Sequence, residues 1–225
     1  MKIGILSDLH LEFYKDPLQL IESLPWGLDE TQEADILIIA GDIHPNSNIR
    51  QTCLQKLEEL IGIPIEFCLG NHDFYGSTVE TFKSTWMFQE KKFACTTLWT
   101  KLNKEDETYA KYISDFHRIR GLSFDKWNEL NENQWQFLQD EDAEIVITHH
   151  LPTPQHIHPN YTNDPLNVFF TNDLDVTKLQ KCKLWISGHT HSPLDFSHNG
   201  IRFIVNPVGY PDERKDQPKV KVVEI

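Results

Sequence analysis

Basic residues are scarce in this chain: 21 lysines and arginines stand against 34 aspartates and glutamates, a formal charge of −13 over 225 residues. Such a balance repels a phosphate backbone on average and argues against nucleic acid held on a broad basic face. Any anionic ligand would need a local positive centre. Long apolar runs are missing too. None approaches the roughly 18 residues of a membrane span, and the N-terminal MKIGILSDLH meets an aspartate and a histidine before a stretch of signal-peptide length develops. A soluble, cytoplasmic protein is the expectation. Cysteine is limited to Cys53, Cys68, Cys95 and Cys182, far apart, with no Cys-x-x-Cys pair and mostly in apolar surroundings. That suits reduced core thiols better than disulfides or a zinc knuckle. Internal repeats and low-complexity segments are absent as well, and 39% hydrophobic with 11% aromatic residues is a globular composition. The length favours one α/β domain over 1–225 rather than two small ones.

What the chain does contain is a rhythm. Short apolar runs at 2–7, 34–41, 65–70, 144–149, 183–188, 202–206 and 219–225 read as buried strands. Between several of them lie helical spacings. Ile49, Cys53, Leu57, Leu60 and Ile61 share one helix face; Val79, Phe82 and Trp86 suggest a second helix; Trp127, Leu130 and Leu138 a third; and the Asp-rich stretch 171–179 caps a fourth. Strand and helix in alternation predict α/β layers.

Five of the strands end on the same kind of chemistry. After the first come Asp8 and His10; after the second, Gly41, Asp42 and His44; after the third, Gly70, Asn71, His72 and Asp73. The fourth is followed by His149 and His150, and the fifth by Gly188, His189 and His191. Alone, each motif is ordinary turn chemistry, and Gly-His-Thr-His can be a polar turn facing water. Five such turns at five strand ends are not ordinary, because open α/β sheets bind ligands beyond the carboxyl ends of their strands. In extended backbone, His189 and His191 would project to one side about 7 Å apart. Two carboxylates, a carboxamide and at least four imidazoles, without thiolate, suit manganese, iron, cobalt, nickel or zinc. They exceed the needs of one ion and would serve two about 3.5–4 Å apart.

Asp8-x-His10, Gly41-Asp42, Gly70-Asn71-His72-Asp73, His149 and Gly188-His189-x-His191 follow the order and spacing of the calcineurin-like metallophosphoesterases, which the chain resembles from 8 to 191. The stretch VNPVGYP, 205–211, looks like the segment after the last histidine motif in many members. The resemblance implies an α/β/β/α four-layer sandwich and two divalent metal ions, manganese favoured. It assigns Asp8, His10 and His191 to one ion and Asn71, His149 and His189 to the other, with Asp42 bridging. His72 matches the histidine that meets the leaving group. Two such ions, set against Asp8, Asp42 and a bridging hydroxide, leave about one net positive charge to attract a phosphate. Direct attack by the metal-bound hydroxide then needs no covalent nucleophile.

Departures from the family's branches narrow the expectation. GDIHPNS and GNHD stand where protein Ser/Thr phosphatases carry Asp-Arg-Gly and a Glu, which argues against that activity. The acidic chain shows no sign of the added domains and DNA binding of the recombination nucleases. A small phosphomonoester or phosphodiester is the expected substrate and partner. His44 is either a substrate contact, a group behind the ligands, or a loop histidine in water. His149 is preferred to His150 as ligand because it lies nearer the strand and strand neighbours point opposite ways, which leaves His150 as a substrate contact. Arg118 and Arg120, two apart, could clamp a phosphate. The stretch 152–168, with four prolines and no periodicity, reads as a specificity loop or a passive one. Two rivals stand beside the two-metal enzyme. A non-catalytic scaffold on the same fold would be expected to have lost a ligand, and none of the seven is missing; a one-metal hydrolase would be separated by counting metals.

Overall fold

A computed structural model describes residues 1–28, 33–211, 213 and 218–225. Strands β1 (Lys2–Leu6), β2 (Ile36–Ala40) and β3 (Ile65–Cys68) are parallel, and β10 (Lys221–Glu224) closes one edge antiparallel, in the order β10-β1-β2-β3. The second sheet holds β4 (Lys83–Phe88), β5 (Lys91–Thr96), β6 (Ile145–Thr148), β7 (Leu184–Ser187), β8 (Leu194–His198) and β9 (Ile201–Val205). Its order is β4-β5-β6-β7-β9-β8, parallel from β5 to β9 and antiparallel at both edges.

The near-continuous apolar runs follow from burial on both faces. Alternate residues of β1, β2, β5, β6 and β7, such as Ile3, Ile38, Cys95, Ile147 and Ile186, form one cluster with members from both sheets. Their neighbours turn the other way. Leu37 and Ile39 pack with Cys53, Leu57 and Ile61 of α2 (Ser47–Ile61), whereas Val146 and Trp185 pack with Leu138 of α4 (Phe124–Glu141). Each fully buried Ile or Leu contributes about 1.5–3 kcal/mol of transfer free energy. Two sheets flanked by helices are therefore what period-two alternation of wholly apolar strands builds.

Caps place the helices. Asn46 accepts the Asn48 and Ile49 amides at the start of α2, and Ser123 accepts the Lys126 amide at the start of α4. Two short helices, α1 (Pro17–Glu22) and α3 (Asp115–Arg118), complete the set. The buried face of α2 uses Leu54, while Ile49 and Leu60 are exposed.

Two predicted helices are not formed. Val79, Phe82 and Trp86 have helical spacing, but burial from Lys83 to Phe88 alternates residue by residue and β4 pairs with β5 as a hairpin. Trp86 stacks on Phe93 across it, ring centroids 5.0 Å apart. The fourth helix shrinks to one 3₁₀ turn at Val176–Lys178, where the Asp175 carboxylate accepts the Thr177 amide. Side chains of this kind bond their own backbone and so compete with a longer helix. Among the described residues no helix is long and apolar enough to cross a membrane.

Candidate metal centre

The turns after β1, β2 and β7 hold their side chains by adopting backbone that L-residues avoid. Asp8, His10, Asp42, His189 and His191 have φ of 54°, 45°, 54°, 72° and 49°, five of the twelve non-glycine residues with positive φ among those described. Each costs roughly 1–2 kcal/mol and persists only where surrounding bonds over-determine it. Those bonds are present. Asp8 and His10 donate their amides to the carbonyls of Gly41 and Asp42, the His189 amide donates to Asp8 Oδ1 at 2.9 Å, and the His72 amide to Asp42 Oδ1 at 2.9 Å. Asp73 ties the second and third turns together, its carboxylate accepting from the amides of Gly70, Asp42, Ile43 and His44. Gly70 must lack a side chain, since a Cβ there would overlap the Asp42 carboxylate.

Three overlapping clusters result: Asp8, His10 and His191; His10, Asp42 and His72; Asp42, His149 and His189, each with ligand atoms within 4.8 Å of one another. Asn71 adds its carbonyl oxygen, 3.0 Å from His149 Nε2. The protons decide what the cluster wants. Nδ1 of His10 and Nδ1 of His191 donate to the carboxylates of Glu12 (3.1 Å) and Glu213 (2.6 Å), so in the neutral imidazoles both Nε2 atoms are lone pairs, and they face each other at 3.0 Å. His149 Nδ1 donates to the Ala40 carbonyl, which can only accept, and its Nε2, a lone pair in the neutral ring, meets Asn71 Oδ1 and, at 3.2 Å, Asp42 Oδ2. Asn71 cannot turn to help, because its amide group donates to Asp115. Acceptors aimed at acceptors in a buried cluster call for a cation between them. In the protein alone a proton can take the cation's place: burial by itself would depress His149, but Asp42 beside it lifts its pKa to about 9, which puts a proton on Nε2 toward Asp42 and Asn71. Burial would raise Asp42, and the surrounding imidazoles, His149 foremost, hold it well below the carboxylate range. These nitrogen and oxygen donors, without a thiolate, fit divalent transition metals.

His72 sits at the edge of the cluster. Its Nδ1 donates to Glu12 at 2.9 Å, and its Nε2 lies 3.3 Å from the Tyr210 hydroxyl. Burial works against its charged form, but Asp42 and Glu12 outweigh it and raise its pKa. His189 is held differently: Phe170 stacks on its ring at 4.6 Å, and burial together with His150 and His149 keeps it neutral far below the usual imidazole range.

Four other residues singled out in the sequence lie away from the cavity wall. His44 is buried and uses Nδ1 to accept the Asn46 amide ahead of α2. His150 lies behind the cluster, packed on Trp99, with Nδ1 donating to the Thr97 carbonyl and burial pushing it down to about 3. Arg118 and Arg120 are exposed, the Arg118 guanidinium 4.8 Å from the centre of the Tyr75 ring. Conversely Glu12, Asp115, Tyr210 and Glu213 carry the site's hydrogen bonds without having been singled out. Glu12 offered a signal, standing two residues beyond His10.

A cavity of about 440 Å³ opens onto Asp42, Asn71, His72, His189 and His191. The family model of the calcineurin-like phosphoesterases matches residues 1–193. The chain belongs to that family. A likeness at 26% identity, covering 94% of the chain, links it to an uncharacterized protein of Acanthamoeba polyphaga mimivirus, 92% of which is covered. One component of the nuclease SbcCD from Staphylococcus saprophyticus is 25% identical over the whole chain, which spans 66% of that component. Among solved structures, the phosphopantetheinyl hydrolase of Mycobacterium tuberculosis has the same fold, with a TM-score of 0.69 at 18% identity over 99% of this chain and 95% of that one. A dimetal phosphatase from Danio rerio matches with a TM-score of 0.53 at 13% identity, over 91% and 86%. Membership of the family supports a hydrolase and implies divalent metal ions, which the His and Asp clusters could hold.

Proposed function

We propose that this calcineurin-like phosphoesterase hydrolyses a small phosphomonoester or phosphodiester at a two-metal centre. Asp8, His10 and His191 would hold one ion, Asn71, His149 and His189 the other, and Asp42 would bridge them. The observation that carries this reading is the cluster of Nε2 and carboxylate atoms in which the Nδ1 protons of His10, His191 and His149 point outward to Glu12, Glu213 and Ala40. Bound there, two divalent ions supply positive charge for the phosphoryl oxygens and acidify water into a nucleophile near neutral pH. Manganese is the favoured metal. The chain's own residues do the rest. Glu12 orients His72 so that Nε2 faces the cavity, where its protonated form donates to the departing oxygen, and Asp115 keeps the Asn71 oxygen turned inward. Four free, buried thiols are in keeping with the cytoplasm.

The test is metal counting beside a panel of phosphomonoesters, phosphodiesters, cyclic nucleotides and dinucleotides assayed with Mn²⁺. Phosphopantetheine belongs on that panel because a protein of the same fold is named for it. Asp42→Ala should lose or loosen both ions and abolish hydrolysis, whereas Arg118→Ala should keep its metal content. Two tightly held ions in Asp42→Ala would sink the bridging assignment. One ion per native chain would favour the one-metal hydrolase, and full turnover after exhaustive chelation would contradict metal dependence altogether.

A further inference from the structure

The cavity does not end at the metal cluster. Besides the candidate ligands it is lined by Tyr112 and Ile113, at the end of a 3₁₀ segment, Lys104–Tyr112, and by Ile157, Tyr161 and Leu166 from the proline-bearing stretch 152–168. Tyr112 and Tyr161 are 65% and 57% exposed, so their rings are open to a ligand in the cavity. Among the described residues, no lysine or arginine lines this cavity. The described carboxylates that do are Asp42 in the candidate ligand cluster, Asp115 taken by Asn71 and Tyr75, Glu213 taken by His191, and Asp164, which caps the Leu166 amide. The basic side chain beyond the cluster, His158, uses Nδ1 to accept the Asn160 amide. A second phosphate on the far part of a substrate would thus meet no permanent cation among the described residues, inside a chain of net charge −13. An uncharged ring or chain would instead cover the exposed tyrosines, and 440 Å³ is ample for one.

We propose that the ester taken by this site carries, on its alcohol side, an uncharged aromatic or apolar group lodged against Tyr112, Ile113, Ile157, Tyr161 and Leu166, and no second phosphate. The proposal rests on the phosphoesterase reading above. Equilibrium binding of non-hydrolysable phosphonates to the Mn²⁺-loaded protein tests it by calorimetry. 2-Naphthylmethylphosphonate should bind about tenfold more tightly than methylphosphonate or better. A second phosphonate on the far ring should erase the gain. Tyr112→Ser and Tyr161→Ser, at exposed positions, should each shrink the naphthyl-to-methyl ratio. Equal affinities for naphthylmethyl- and methylphosphonate, or tightest binding by the bisphosphonate, would overturn the substrate class while metal-dependent methylphosphonate binding left the phosphoesterase reading intact. A loaded protein that binds neither phosphonate and turns over no ester would overturn that reading, and this one with it.

Discussion

Glu12 bonds two imidazoles at once, through one oxygen, and so couples the proposed ligand His10 to the acid candidate His72. Burial would lift its pKa, but the bonds from His10 and His72 hold it at about 2, so it is a carboxylate throughout the working range. Glu12→Gln removes that charge while leaving one oxygen to accept. Metal content should persist, with hydrolysis slowed about 10- to 100-fold; loss of metal from the variant would instead make Glu12 a group needed for holding the ion. His72 itself can be separated from metal binding by its substrates. His72→Ala should lose about 10²- to 10⁴-fold on alkyl esters, whose alkoxides need a proton, and much less on nitrophenyl esters, whose phenolates do not. Equal losses on both, with metals still bound, would assign His72 to positioning the phosphate.

At the scale of the element, what the chain's periodicity reveals depends on whether burial is one-sided or two-sided. The strands buried on both faces were legible as apolar runs. The β4–β5 hairpin was not, because β4 alternates exposed with half-buried residues, β5 opens on two lysines and carries few apolar residues, and Val79, Phe82 and Trp86 happen to fall at helical intervals. Its turn also lacks the expected punctuation. Gln89 and Glu90, both at positive φ (44° and 64°), join Phe88 to its partner Lys91, the geometry of a type I′ turn without asparagine or glycine. Glu90→Gly should relieve this strain and stabilise the protein by about 1 kcal/mol, read as a higher denaturation midpoint. An unchanged or lower midpoint would mean that the Glu90 side chain contributes more than its backbone costs.

The whole molecule should lose stability on acidification for reasons unrelated to catalysis. His156 is buried against Phe196 and Phe203, and burial pushes its pKa down to about 4. The unfolded chain, with an ordinary imidazole near 6.5, binds more protons than the folded one between those values. Stability is therefore complete above about pH 6.5 and falls as pH drops toward 4, by about 2 kcal/mol at pH 5 from this group alone. His150, held to about 3, acts in the same direction. His156→Phe keeps a ring between its neighbours and should lessen the difference in urea midpoint between pH 7.5 and pH 5. An unchanged difference would exclude His156 as a contributor.

The ligand-type residues, their order and their positions just beyond strand ends were legible in the sequence, because a buried strand and the turn that follows it are local features written in consecutive residues. Asp8, Asp42, Asn71, His149, His189 and His191 could be read in this way. Which of their atoms carry protons was decided by tertiary structure. His72 meets Glu12 across 60 positions and Tyr210 across 138, and Asn71 meets Asp115 across 44. No period or motif relates such partners. They come together only when two sheets pack face to face and bring loops from both to one rim, and that packing turns a set of residue types into a cluster with its lone pairs facing inward.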